Sequence, residues 1–176
     1  MGTAASGTRT LRDGSKVRLR PIAPDDDARL VAFHEKLSRE TQRLRFFGPH
    51  PHLSIAEVQR FVRVDGNRRV AVVAERDDEI VAVARYDLLG DTDEAEAAFV
   101  VRDDLQGQGL GTLLLAELAT RARAQGVARL VALTLPENRP MQRVLHAFGP
   151  NVTSAFVDGV VRFEIALNET QARRTK

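Results

Sequence analysis

Between Ala97 and Leu115 an apolar run, Ala97-Ala98-Phe99-Val100-Val101, passes through Arg102-Asp103-Asp104-Leu105 into Gln106-Gly107-Gln108-Gly109-Leu110-Gly111 and on into Thr112-Leu113-Leu114-Leu115. The flanks ask for a buried strand and then a helix, and the three alternating glycines between them ask for a turn. Few folds accept that succession. The glycines leave the backbone N–H groups unshielded, and the first N–H groups of a helix have no partner within it. With about half a positive charge from the helix dipole they favour an anion, so the turn predicts a pyrophosphate cradle.

Spacing narrows the phosphate ligand. A dinucleotide fingerprint, G-x-G-x-x-G, needs an acidic residue about 20 residues further on. Here the third glycine would fall at Thr112, and the acidic position falls in the apolar run Leu130-Val131-Ala132-Leu133. A Walker loop needs Gly-Lys-Ser/Thr, and no such tripeptide occurs. Gln106 to Gly111 instead resembles the Q/R-x-x-G-x-G/A signature of the GNAT superfamily of acetyltransferases, which holds the pyrophosphate of acetyl-CoA. The resemblance implies a cofactor site made of Phe99, Val100, Val101, Gln106, Gly107, Gln108, Gly109, Leu110, Gly111 and Thr112, the strand residues offering backbone groups to the pantetheine arm.

Leu135-Pro136-Glu137-Asn138-Arg139-Pro140-Met141, after the apolar stretch Leu130–Leu135, resembles a second GNAT segment, in which an asparagine opening the next helix bonds the cofactor arm. Asn138 also reads as a helix N-cap, and one amide can serve both partners. The segments Leu11–Ile22, Phe33–Ser38 and Leu44-Arg45-Phe46-Phe47-Gly48 are similar to bacterial protein lysine acetyltransferases that modify acyl-CoA synthetases. The resemblance spans residues 8–167. Some members carry a cyclic-nucleotide domain or a synthetase-like region, for which 176 residues leave no room, so that regulation is not implied.

Length and composition predict one domain over 8–167 with flexible termini at 1–7 and 168–176. A domain of this size buries about 70% of its unfolded surface. With 26 basic against 24 acidic residues, the net charge of +2 points to no polyanion, and no nucleic-acid partner is expected. The chain has no long apolar run and no signal-like start, which predicts no membrane association and a cytoplasmic protein. Without cysteine there is no thiolate metal site or cysteine acyl relay, and no metal is expected. Oligomeric state has no signature.

The expected elements are strands around Thr10 and Lys16–Arg20 joined at Asp13-Gly14, a helix over 24–37, a helix from the Ser54-x-x-Glu57 capping box to about Val64, and strands 69–75, 80–88 and 94–101. Helix 109–125 with Gly126 at C′, strand 130–135, helix 138–147 and a hairpin turning at Asp158-Gly159 follow. That order resembles the GNAT fold, an α/β (α+β) architecture with a mixed, mostly antiparallel sheet splayed at its centre and helices on both faces.

Acetyl transfer to a lysine needs the neutral amine. Deprotonation at pH 7 from a pKa near 10.4 costs roughly 4–5 kcal/mol, so a general base is expected. Glu96 is the candidate, on the strand leading to the cradle and matching the strand glutamate of similar lysine acetyltransferases. Glu94 shares its strand face, Glu137 is a weaker alternative, and a plain strand-edge role for Glu96 stays open. Many GNAT enzymes place an acidic tyrosine seven residues after the asparagine, where this chain has Leu145; its single tyrosine is Tyr86. The general acid is therefore unassigned. His50-Pro51-His52 reads as a surface loop and His34 as an ordinary helix residue. Arg43, Arg45, Arg60 and Arg63, interleaved with Phe46, Phe47 and Phe61, read as core stripe plus a solvated rim.

Three readings follow. The first is acetyl-CoA-dependent acetylation of a lysine on a protein with acidic surface near its target, such as an acyl-CoA synthetase. The others are acetylation of a small amine, and a non-catalytic acetyl-CoA sensor.

Overall fold

The computed structural model describes residues 7–168. These form the strands β1 (Gly7–Thr10), β2 (Lys16–Pro21), β3 (Arg69–Arg76), β4 (Glu79–Leu88), β5 (Glu94–Val101), β6 (Arg129–Thr134), β7 (Val152–Val157) and β8 (Val160–Ala166). They lie in one sheet in the order β1-β2-β3-β4-β5-β6-β8-β7. Every neighbouring pair is antiparallel except β5–β6. A parallel pair needs a crossover, and α4 (Leu110–Ala124) supplies it.

Helices cover both faces. Leu114, Leu115 and Leu118 of α4 and Leu145 of α5 (Arg139–His146) pack on Val70, Val72, Tyr86, Ala97, Phe99 and Phe163. On the other face, Leu30 and Phe33 of α1 (Asp27–Glu35) and Val62 of α3 (Ile55–Val62) pack on Ala71, Val73, Ile80 and Val83. Central strands covered on both sides are apolar along most of their length, as β3 and β4 are. In β5 the burial alternates, as a strand's two faces require: Ala95, Ala97, Phe99 and Val101 face α4, leaving Glu94, Glu96, Ala98 and Val100 on the α1 side.

Local chemistry places the boundaries. Ser54 Oγ accepts from Glu57 N–H at 3.2 Å while Glu57 accepts from Ser54 N–H at 2.8 Å. This reciprocal cap starts α3. After α4, Gly126 takes φ +78°, and Val127 N–H reaches Ala122 C=O at 3.0 Å, a Schellman stop. The β3–β4 and β7–β8 hairpins turn on Asp77-Asp78 and Asp158-Gly159, all with positive φ, which matches the twist of the flanking strands.

Three expectations change. Gly7, assigned to the flexible terminus, is the first residue of β1 and pairs with Leu19; residues 1–6 and 169–176 lie outside the described residues. The helix expected from Pro24 begins as a 3-10 turn over Pro24–Asp26, where Asp26 caps back onto Ala23 N–H at 2.8 Å. A further helix, α2 (Arg39–Phe46), is separate from α3, because Gly48-Pro49 and Pro51 interrupt the helical path.

The sequence contained no sign of the buried ion network on the β2–β3 edge. Arg20 grips Asp26 with two hydrogen bonds of 2.7 Å and also donates to Glu75, which accepts from Arg18 at 2.7 Å. Hydrogen bonds from Arg20, then Arg18, outweigh burial and hold the Glu75 carboxyl below its ordinary range. For Asp26 burial pushes upward, but Arg20 and the Ala23 N–H win. Both carboxylates bind protons more weakly folded than unfolded. Their contribution is therefore present above the unfolded pKa values of about 4 and lost as pH falls through the lower folded values. Urea titrations from pH 6 to pH 2 should show stability falling below about pH 4, and Glu75→Gln should flatten that fall. An equally steep fall in the variant would assign acid lability elsewhere.

Candidate active site

The sheet opens where β5 and β6 part. Their register runs from Glu94↔Arg129 to Ala97↔Ala132 and stops there, although β5 continues to Val101 and β6 to Thr134. A cavity of about 120 Å³ fills the opening toward the glycine turn, lined by Phe99, Val100, Val101, Gln106, Gly107, Gly111 and Asn138 together with residues of α2 and α5. A second cavity of about 60 Å³, lined by Glu96, Ala97, Ala98, Phe99, Thr134, Asn138 and Leu145, continues toward solvent. Leu44, Arg45, Phe99, Asn138 and Met141 line both.

The turn is built to present N–H groups. Gly107 and Gly109 adopt φ of +77° and +88°, and a side chain would be strained at either position. Among the described residues, no hydrogen bond uses the backbone N–H groups of residues 107 to 112. Consecutive unpaired N–H groups at a helix start form an anion-binding concavity, which fits a pyrophosphate. Gly111 serves packing: its backbone lies against Val144 of α5, whose methyl carbons a Cβ would meet at 3.5 and 3.7 Å.

The other expected cofactor residues sit around this concavity in different ways. The Gln106 side chain is turned inward, donating to Val101 C=O at 3.1 Å and Thr41 Oγ1 at 3.2 Å. Leu110 is buried in the core and Thr112 is exposed, so each offers the concavity its backbone. The carbonyl of Gln108 accepts from Arg12 N–H at 3.1 Å. Asn138 Oδ1 caps α5, accepting from Met141 N–H at 3.3 Å, which leaves the amide NH₂ for a second partner.

The carboxylates differ sharply in what holds them. Glu94 is ion-paired to Arg129. Glu137 takes Arg43 at 2.8 Å, and that hydrogen bond lowers its pKa. Asp103 accepts from Ser38 N–H at 2.9 Å, from Ser38 Oγ at 2.6 Å and from Thr41 Oγ1 at 2.7 Å, tying α2 to the turn. Asp104 pairs with Arg102 at 2.6 Å. Glu96 makes no hydrogen bond or salt bridge among the described residues and is exposed at the cleft.

Arg45 is the neighbour the sequence undervalued. It stacks over the Phe46 ring at 4.8 Å, lines both cavities and has no salt bridge among the described residues. Burial, then repulsion from Arg85, pull its pKa down to about 10 against the attraction of Glu96 and Asp87. Leu145, at the tyrosine position, is fully buried, and Tyr86 is no substitute. The Tyr86 hydroxyl donates to Asn67 C=O at 3.3 Å, and burial, then the charge of Asp65, push its pKa up to about 12. Gln142, which the sequence did not single out, secures the β6–α5 turn by donating to the carbonyls of Leu135 and Pro136, both at 3.0 Å.

The histidines are more structural than expected. His34 is buried, its ring Nε2 at 2.7 Å from His50 C=O, and His50 stacks on Phe46 at 4.0 Å. Phe61 underlies Arg85 at 4.6 Å, so Phe46 and Phe61 are both occupied. No group of three or more metal-ligating side chains occurs among the described residues, and no helix there is long and apolar enough to cross a membrane.

A sheet split at a parallel pair, with an N–H concavity at the head of its crossover helix, is an acyltransferase architecture. A family model described as the acetyltransferase (GNAT) family matches residues 25–149, and the chain belongs to that family and is an N-acetyltransferase. It is 31% identical over 144 residues to an acetyltransferase of Pseudomonas aeruginosa, covering 80% of this chain and 77% of that one. Over 142 residues it is 32% identical to acetyltransferase Pat of Mycolicibacterium smegmatis, covering 79% of this chain but spanning only 42% of that relative. Among solved structures, the GNAT domain of S. lividans PAT superposes with a TM-score of 0.87 at 41% identity, covering 92% of this chain and 96% of that domain.

Proposed function

We propose that the chain transfers the acetyl group of acetyl-CoA directly to a lysine side chain on a protein, with Glu96 as general base, in the cytoplasm. The observation that carries this reading is the continuity of the two cavities: an N–H concavity for pyrophosphate leads past Phe99 and Asn138 to an uncommitted carboxylate at the mouth. Residues 107 to 112 would hold the pyrophosphate, and Phe99 to Val101 with Asn138 the arm. The lysine nitrogen bonds to the thioester carbon, its proton passes to Glu96 directly or through a water, and the C–S bond breaks. CoA leaves as a thiolate, which with a thiol pKa near 8.5 needs no acid to be displaced. Glu96 faces solvent until an acceptor docks. Docking would exclude water from the cleft, where Arg45 lines the same cavity as Glu96.

Charge on the arginines of residues 39–63 supports a protein acceptor more narrowly than the sequence implied. Of Arg39, Arg43, Arg45, Arg60 and Arg63, Arg43 is paired with Glu40 and Glu137, and Arg60 with Asp87. Arg39 and Arg63 are exposed and carry no ion pair among the described residues. An acyl-CoA synthetase is the partner the lysine acetyltransferase resemblance implies. Its acetylation should slow as salt rises from about 50 to about 300 mM, because screening shortens the reach of those charges. Assayed beside it, free polyamines and amino acids should turn over poorly. Efficient turnover of a free amine, with no protein lysine modified, would reassign the chain to small-amine acetylation.

A further inference from the structure

We infer that Arg12, on the β1–β2 hairpin, is a positioning residue that aims the N–H groups of the glycine turn at the CoA pyrophosphate. The inference rests on the reading of that turn as the phosphate site. The hairpin tip folds across the turn: Arg12 N–H donates to Gln108 C=O at 3.1 Å, and Arg12 Nη1 donates to Gly107 C=O at 3.4 Å. Its Nε lies 3.6 Å from where a Cβ of Gly109 would stand. In a trans peptide the N–H points opposite to the C=O. The Gly107 carbonyl shares its peptide plane with the N–H of Gln108, and the Gln108 carbonyl with the N–H of Gly109. Holding both carbonyls on the hairpin side therefore turns these two N–H groups to the other side, and neither has a partner among the described residues.

The left-handed glycines make such a device necessary. Gly107 and Gly109 sit at positive φ without a side chain to brace them, so the free turn can sample other peptide orientations. Fixing the orientation in advance removes an ordering cost from binding. The guanidinium also adds positive charge behind the peptides, and it is exposed and in no salt bridge among the described residues. Arg12 is separated from Gly107 by 95 residues, which is why sequence spacing cannot reveal the contact.

Calorimetry with CoA and with 3′-dephospho-CoA, which keeps the pyrophosphate, tests the proposal on wild type, Arg12→Ala, Arg12→Lys and Gly109→Glu. Arg12→Ala should raise the Kd for both ligands about tenfold, the order expected for losing one long charge-assisted hydrogen bond, with native circular dichroism. Arg12→Lys, which keeps a donor and the charge, should recover most of the affinity, whereas loss of a passive scaffold contact would not be rescued by a lysine. If Arg12→Ala stays within twofold of wild type while Gly109→Glu loses CoA, the proposal is overturned and the cradle stands. If only CoA weakens, Arg12 contacts the 3′-phosphate and the positioning role is overturned. If Gly109→Glu binds CoA normally, the phosphate site lies elsewhere and both readings fall.

Discussion

Glu96→Gln is expected to lower turnover at pH 7 by about 10²–10⁴ while the Kd for acetyl-CoA stays within about twofold of wild type. Glutamine keeps the shape and exposure of the side chain and removes only its ability to accept a proton. Arg45 is the charged group that lines the cleft with Glu96 and stays in place in the variant. The neighbouring carboxylates make the result interpretable. Glu94 is committed to Arg129 and Glu137 to Arg43, so neither can take a proton without giving up an ion pair. Stopped-flow or coupled thiol-release assays on both proteins at pH 7 read the effect. Retention of most of the activity would remove Glu96 from the mechanism and leave a water as the proton acceptor.

Gly109→Glu should weaken acetyl-CoA binding by more than about 100-fold, the equivalent of about 2.7 kcal/mol. Two effects combine. Gly109 sits at φ +88°. A side chain in the left-handed region is strained by roughly 1–2 kcal/mol, and the new carboxylate adds negative charge beside the peptides that face the pyrophosphate. It would also lie beside Arg12, whose Nε is 3.6 Å from the new Cβ, and would compete for that charge. Gly109→Ala isolates the strain and should change Kd less than tenfold. Circular dichroism and thermal melting show whether the fold survives. Gly109 borders the turn without bracing the core, so both variants should remain folded. Normal affinity in the glutamate variant would place the pyrophosphate away from this turn.

Most of the order of elements and the position of the glycine turn at the head of α4 could be read from the amino-acid sequence unaided. Both depend on local rules: alternation along β5, glycine at positive φ, the Ser54–Glu57 cap, Asn138 as N-cap and the Asp-Gly turns all act within a few residues. The same locality explains why the Gly7 pairing escaped it, since that depends on Leu19, across the hairpin. Helix α2 was not among the expected elements although its cap, Ser38, is local. The sequence put Glu96 ahead of Glu94 and Glu137 by strand position and resemblance, but which carboxylate already has a cation was beyond it. Arg129 and Arg43 reach their partners from other elements. The buried Arg20–Asp26–Glu75 network, the desolvated Arg45 at the junction of the cavities and the Arg12 contact to the glycine turn likewise exist only once the chain is folded. A side chain's charge state and commitments come from neighbours brought together by the fold, and sequence distance carries no information about them.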